Sequence, residues 1–292
     1  METQPTEART FTPPKALLRF ADLTQRISPY LGARLAYRWF LTPYPFKIPA
    51  REQQMLDRFS EPAFFTNERT GHKFPLYTFG QGSKKLLLIH GWAGRFTQFT
   101  ALIKQMESSD LLDSYTIYGL NAVGHHGAEG KQSAMPIIAE CIDTVVRQHG
   151  PMDHIVAHSL GCNSVMYGTQ CLNTSPAEKQ VFISPPGSPF EMADLFCDTF
   201  EFNTKVRALL KARLKRVFPE IEEVSAQNLA RTNAVPTLVF HDTNDHDTPI
   251  EMGRAVGNAM QNGRYTETSG LGHRRILRNT ATLEQIIAFL KQ

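Results

Sequence analysis

Three residue types, met in the order serine, aspartate, histidine, carry the chemistry open to this sequence. Ser159 stands in Ala157-His158-Ser159-Leu160-Gly161, after the apolar run Ile155-Val156-Ala157 and before a helical stretch over 163–171. A serine hydroxyl is a weak nucleophile until an adjacent base removes its proton. Ala157 and Gly161 flank it two positions either side, where the backbones of a strand and a helix must pass close together in a tight turn. Glycine is usual at the first of these positions, and alanine is still small enough to fit. The helix behind Ser159 turns its free N–H groups toward the site and favours negative charge developing there.

A base and an acid are then needed, each beyond the end of a later strand. The run Thr237-Leu238-Val239-Phe240-His241 leads into a loop where Asp242, Asp245 and Asp247 compete for the acid's role. His273 closes Gly270-Leu271-Gly272-His273 after a last strand, where a loop histidine reaches over Ser159. The fourth requirement is a pair of N–H donors for the oxygen that becomes negative, each worth about 3 kcal/mol. Leu160 supplies one from the turn. Trp92, in His90-Gly91-Trp92-Ala93-Gly94, supplies the other, and the glycines let the backbone approach a substrate. The Trp92 indole either lines an acyl pocket or packs beneath a covering segment. The chemistry this set predicts is acyl transfer: Ser159 attacks an ester carbonyl, His273 takes its proton, and the acyl-enzyme is hydrolysed.

These groups meet only if alternating elements bring them to one edge of a sheet. Strands are predicted at 74–79, 85–90, 115–120, 154–158, 180–184, 237–241 and 265–268. Helices are predicted at 96–106, 135–149, 163–171, 250–260 and 283–290. Strands alternating with helices imply a mostly parallel sheet covered on both faces. Two segments stand outside that rhythm. Residues 1–62 read as a helical extension packed on the core: a loose tail of about a dozen residues, then apolar positions at near-helical spacing over 15–40, interrupted at Ser28-Pro29 and ended by Thr42-Pro43-Tyr44-Pro45. Such an amphipathic stretch can touch a membrane, although packing on its own domain is the commoner use. The second segment, about 189–235, is helical and falls between two strands of the 63–292 domain, as a lid does. Its Lys205, Arg207, Lys211, Arg213, Lys215 and Arg216 either attract an acidic substrate or form a solvated face.

Bulk properties exclude several classes. Hydrophobic residues are 41% and charged residues 20%, which suits a soluble globular chain rather than a disordered one. A net charge of +3 with no long basic arm gives no reason to expect nucleic acid as a partner. Cys141, Cys162, Cys171 and Cys197 are scattered without C-x-x-C spacing, so reduced thiols are expected rather than disulfides or a zinc site. The polar N-terminus resembles no signal peptide, and no apolar run is long enough to span a bilayer, so a cytoplasmic location is the default expectation. His125, His126, His158, His241 and His246 lack a His-Glu-x-x-His helix or comparable ligand spacing. No metal and no cofactor are expected.

With these pieces in order, the chain resembles the α/β-hydrolase superfamily, and among its members the bacterial serine carboxylesterases and lipase-like hydrolases. The resemblance runs from about Phe74 to the C-terminus and rests on His90-Gly91-Trp92, the Ser159 turn, His241 to Pro249, and Gly270 to Leu277. In that family the acid commonly lies four residues after the strand-end position held here by His241, with a proline four further on. This implies Asp245, with Pro249 in place, and leaves Asp247 as the competitor. Relatives often carry Asp-x-x-Gly-x-Gly after the strand at 115–120, whereas this chain has Asn121-Ala122-Val123-Gly124-His125-His126-Gly127, a departure that bears on the pocket rather than the triad. An aspartate at position 159 would suggest a haloalkane dehalogenase; Ser159 does not. The resemblance implies a small-molecule ester or related acyl substrate. A thioesterase or acyltransferase with the same triad, and a binding or regulatory protein on the same fold, are its alternatives. Oligomeric state is not legible.

Overall fold

The computed structural model describes residues 12–44, 46–174 and 176–292. The tail expected over the first dozen residues lies almost wholly outside them. Helix α1 (Lys15–Ile27) and helix α2 (Pro29–Phe40) are separate because Pro29 has no N–H to donate and forces Ser28 into extended backbone, φ −161°. A short helix α3 (Ala50–Leu56) follows. Strands β1 (Ala63–Thr66) and β2 (Lys73–Phe79) form an antiparallel pair; β1 was not among the expected strands.

From there the chain alternates. Strand β3 (Lys84–Ile89) leads through a 3₁₀ turn at Phe96–Phe99 into α4 (Thr100–Ser108), then β4 (Tyr115–Leu120), α5 (Met135–His149), β5 (Met152–His158), α6 (Leu160–Cys171) and β6 (Ala177–Ile183). Three helices without a strand come next: α7 (Pro189–Thr199), α8 (Thr204–Val217) and α9 (Ala226–Thr232). The chain ends with β7 (Thr237–Asp242), α10 (Ile250–Ala259), β8 (Gly263–Thr268), α11 (Gly272–Arg275) and α12 (Thr280–Leu290). Among the described residues the strands form one eight-stranded sheet, ordered β1-β2-β4-β3-β5-β6-β7-β8 and parallel from β4 through β8.

Both faces of the sheet are buried, as near-continuous apolar strands require. Along β3, Leu87 and Ile89 join a core beneath α5, α6 and α10, while Leu86 and Leu88 join another beneath α4 and α12. A third apolar cluster sits outside the sheet, where Ala21, Ala33 and Ala36 of the first two helices meet Ala193, Val206 and Leu210 of α7 and α8. The N-terminal helices therefore lean on the 189–235 segment.

The strand order places the site. The chain leaves β3 toward β4 on one side and returns to β5 on the other, so a crevice opens at the C-terminal ends of β3 and β5. The register Ile89↔Ala157 sets His90-Gly91-Trp92 beside Ser159. The pairing Asp242↔Thr268 brings the loops after β7 and β8 to the same edge.

Candidate active site

Ser159 is held in backbone that few side chains adopt, φ +52° and ψ −128°, at a cost of about 1–3 kcal/mol. Its N–H donates to Ile183 O at 2.8 Å, and its carbonyl accepts from Cys162 N at 2.9 Å. Helix α6 begins at Leu160, three residues earlier than the pattern predicted, because the turn opens directly into it. Gly161 is required by contact: a Cβ there would lie 2.7 Å from His90 O and 2.8 Å from Ile89 Cγ2. Gly91 presses from the other loop, where a Cβ would come within 2.7 Å of Ser159 Cβ. As the first residue of α6, Leu160 has an N–H with no intrahelical acceptor.

The structure brings Asp245 and His273 together. His273 Nδ1 lies 2.7 Å from Asp245 Oδ2, and the Asp245 side chain is wholly buried. Nδ1 thus carries its proton toward the carboxylate, leaving Nε2 bare to accept another. Burial pulls the Asp245 carboxyl upward, but hydrogen bonds from His273 and Thr248 outweigh it and hold the group down at about 2. Asp245 Oδ1 accepts the N–H groups of Asp247 and Thr248, and Thr248 Oγ1 donates to Oδ2 at 3.0 Å while lying 3.1 Å from His273 Nδ1. This buttress went unrecognised in the sequence, although an aspartate that accepts the N–H two residues on, as Asp245 does from Asp247, is a recurring turn pattern.

The competing aspartates occupy other places. Asp242 is fully buried and accepts the N–H groups of Asn244, Leu271 and Gly272 and the hydroxyl of Thr268. Burial raises its carboxyl, and those bonds more than offset the rise. Asp242 therefore fastens the histidine loop. Asp247 lies 4.0 Å from Arg274 on a partly exposed surface.

His158 ties the Ser159 turn to the histidine loop. Its Nε2 donates to His273 O at 2.9 Å, and its ring lies 4.6 Å from that of His273, tilted by 47°. Complete burial pushes its pKa far down, so it stays neutral. On the other side, His90 Nδ1 donates to Gly91 O and Nε2 accepts from Ala122 N, which fixes the start of the Trp92 loop. Asn121 accepts from Phe96 N at 2.9 Å and donates to His126 O, so its amide ties the two loops that flank the end of β4. Arg95, five residues after His90, forms an ion pair at 2.8 Å with Glu52 of α3, both side chains 9% exposed. It also donates to the carbonyls of Phe46 and Lys47.

Ser159, Leu160, Trp92 and His273 line one cavity of about 800 Å³. Its walls come from the end of α2, such as Trp39 and Phe40, and from the 189–235 segment, such as Met192, Phe196 and Phe218. The Trp92 ring lines it and stands edge-on to His125 at 5.8 Å. The cations of the inserted helices do not serve it: Arg207 pairs with Asp194 and Asp198, Lys211 with Asp194, Lys215 with Glu222, and Arg213 stacks on Tyr37. Lys205 and Arg216 lie outside the lining.

The model of a family described as TAP-like protein matches residues 215–292, which include Asp245 and His273. No curated protein matches the sequence. An esterase from Exiguobacterium antarcticum superposes with a TM-score of 0.62 at 13% identity, over 80% of this chain and all of that one. An esterase from Rhodococcus sp. ECU1013 does so with a TM-score of 0.57 at 15% identity, over 80% and 99%. A bromoperoxidase from Bacillus anthracis gives 0.59 at 15% identity, over 80% and 100%. The fold is the α/β-hydrolase fold.

Proposed function

On this α/β-hydrolase fold we propose a serine hydrolase that cleaves carboxylic esters with an apolar acyl part through an acyl-enzyme on Ser159. The observation that carries the reading is the 2.7 Å contact between His273 Nδ1 and a buried Asp245, beside a strained serine lining the same cavity. Ser159 Oγ attacks the carbonyl carbon as its proton passes to His273 Nε2. Asp245 stays ionised, holds the imidazole in the required tautomer and stabilises it when charged. The amides of Trp92 and Leu160 receive the oxyanion. The tetrahedral adduct collapses, and the alcohol leaves with the proton from His273. Water then attacks the acyl-enzyme by the same route, giving the acid and free Ser159.

Helices α7 to α9, with the end of α2, serve in this reading as a cover that keeps bulk water from the acyl chain. The apolar walls of the cavity support an acyl rather than a sugar or nucleotide occupant. The test is direct. The wild-type protein should hydrolyse short p-nitrophenyl esters and take up a fluorophosphonate at Ser159, and Ser159→Ala should lose at least about three orders of magnitude in kcat and all labelling. An Ser159→Ala protein with full esterase activity, or a wild type that no fluorophosphonate labels, would overturn the proposal.

A further inference from the structure

The helical pair α1–α2 buries one side and leaves an unusual amount of apolar surface on the other. Its inner side is firmly attached. Gln25 donates to Glu201 O at 3.0 Å and accepts from Asn203 N at 2.8 Å, and Gly32 sits so tightly on α8 that a Cβ would lie 2.8 Å from Val206. Facing outward are Phe20, Leu23 and Ile27 of α1, at i, i+3 and i+7, and Tyr30 and Leu31 of α2, with exposures from 49% to 75%. Scattered exposed apolar residues need no explanation, but five large ones on two adjoining helices form a surface that wants an occupant.

We infer that this face docks the protein on an anionic lipid surface. The charge around the stripe points there. Residues 15–40 hold five basic side chains, Lys15, Arg19, Arg26, Arg34 and Arg38, against the single acid Asp22. Only Arg26 is paired with that acid. Among the described residues Lys15, Arg19 and Arg34 have no ion-pair or hydrogen-bond partner for their side chains. By helical spacing Arg34 and Arg38 share the outward side of α2 with Tyr30 and Leu31. A helix with an aromatic and aliphatic stripe edged by arginines lies in the headgroup region, the stripe in the acyl boundary and the guanidinium groups among phosphates. A second copy of the chain would set these cations against one another. The same pair carries the wall of the cavity: Trp39, Phe40 and Leu41, at the end of α2, line it. A lipid surface under the helices would thus lie close to one apolar wall of the cavity. No helix among the described residues is long and apolar enough to cross a membrane, so the contact is peripheral.

The experiment is co-sedimentation of the full chain with phosphatidylcholine vesicles, with and without phosphatidylglycerol. The wild type should partition to the anionic vesicles and be released by salt. Leu23→Glu combined with Ile27→Glu should lower partitioning about tenfold or more, and Arg19→Gln combined with Arg34→Gln about fivefold for each charge removed. Both pairs point away from the packed side, and an unchanged thermal melt verifies their folding. Ser159→Ala should bind as the wild type does, which separates this inference from the catalytic reading. Failure of the wild type to bind either vesicle, equal binding by Leu23→Glu/Ile27→Glu, or a solution dimer that this double variant splits while no vesicle is bound, would each overturn it.

Discussion

Replacing Gly91 with alanine probes how closely the two loops share the site. A Cβ at that position lies 2.7 Å from Ser159 Cβ and 3.1 Å from both Nδ1 and O of His158. Non-bonded carbons rest at about 3.5–4.0 Å, so the overlap is about 1 Å. The atoms it meets cannot swing aside: Ser159 is fixed in its turn, and His158 is buried and bonded to the histidine loop. Gly91 itself is outside the left-handed region, so alanine's own backbone preference adds nothing to the penalty. The relief available is for the Trp92 loop to retreat. A retreat of about 1 Å costs roughly a hundredfold in rate, or about 3 kcal/mol in kcat/KM. The strain should lower stability by about 1–3 kcal/mol. Gly168→Ala is the control, because the nearest atom to a Cβ there is Ala139 Cβ at 4.0 Å, and removing a helical glycine should add about 0.5–1 kcal/mol. The assay is kcat/KM on a soluble short-chain ester with urea melts of both variants. A Gly91→Ala protein with wild-type kcat/KM would refute the placement of the second oxyanion donor on this loop.

Three further outcomes follow from the same geometry. Asp245→Asn should lose about four orders of magnitude in kcat by favouring the wrong imidazole tautomer, Asp247→Asn should stay near wild type, and Asp242→Asn should show its effect chiefly as a lower melting temperature. Urea melts across pH test the carboxylates. The Asp245 pKa is about 2 in the folded chain, below the roughly 3.9 of an unfolded aspartate, so it contributes about 2 kcal/mol above pH 4 that is lost as pH falls toward 2. Asp245→Asn should flatten that limb. Glu52→Gln strips the buried Arg95 of its counter-charge and should cost about 3–5 kcal/mol in a urea melt.

Much of the sheet was legible because buried parallel strands write themselves as apolar runs. The spans Tyr115–Leu120 and Met135–His149 match the expected ones, and β6 and β8 only begin a few residues earlier than the pattern suggested. Strand β1 was missed because it is an edge of four residues with a mostly exposed pattern, so no alternation marks it. The parts of the candidate site stand out for a local reason: the Ser159 turn and the glycine-flanked loops impose backbone demands visible in a few adjacent residues. What stayed hidden is non-local. Nothing in the spacing says that His158 holds the carbonyl of His273, 115 positions away, or that Asp242 rather than Asp245 clasps Leu271 and Gly272. The cations of the inserted helices illustrate the same limit. Their number left an acidic substrate or a solvated face open, and the acids that Arg207 and Lys211 meet, Asp198 and Asp194, sit on the preceding helix, a pairing that only tertiary structure reveals.

The Trp92 loop gathers these long-range contacts. His90 ties its start to the end of β4 through Ala122, Gly91 presses it against the Ser159 turn, and Arg95 anchors its far end to Glu52 and to the carbonyls of Phe46 and Lys47. Taking an ion pair out of water is expensive, and hydrophobic residues of equal volume are often as stabilising. Stability alone is therefore a weak reason for Arg95 and Glu52. Their geometry offers a better one. A guanidinium that spends three directions on three fixed acceptors sets the position and tilt of the loop more tightly than apolar packing does. An oxyanion donor misplaced by a fraction of an ångström loses most of its value. The segment before β1 is thus a third support of the loop, and a change in how α3 sits would be felt first at the Trp92 amide rather than at Asp245 or His273, whose supports lie between β7 and α11 and at His158 of β5.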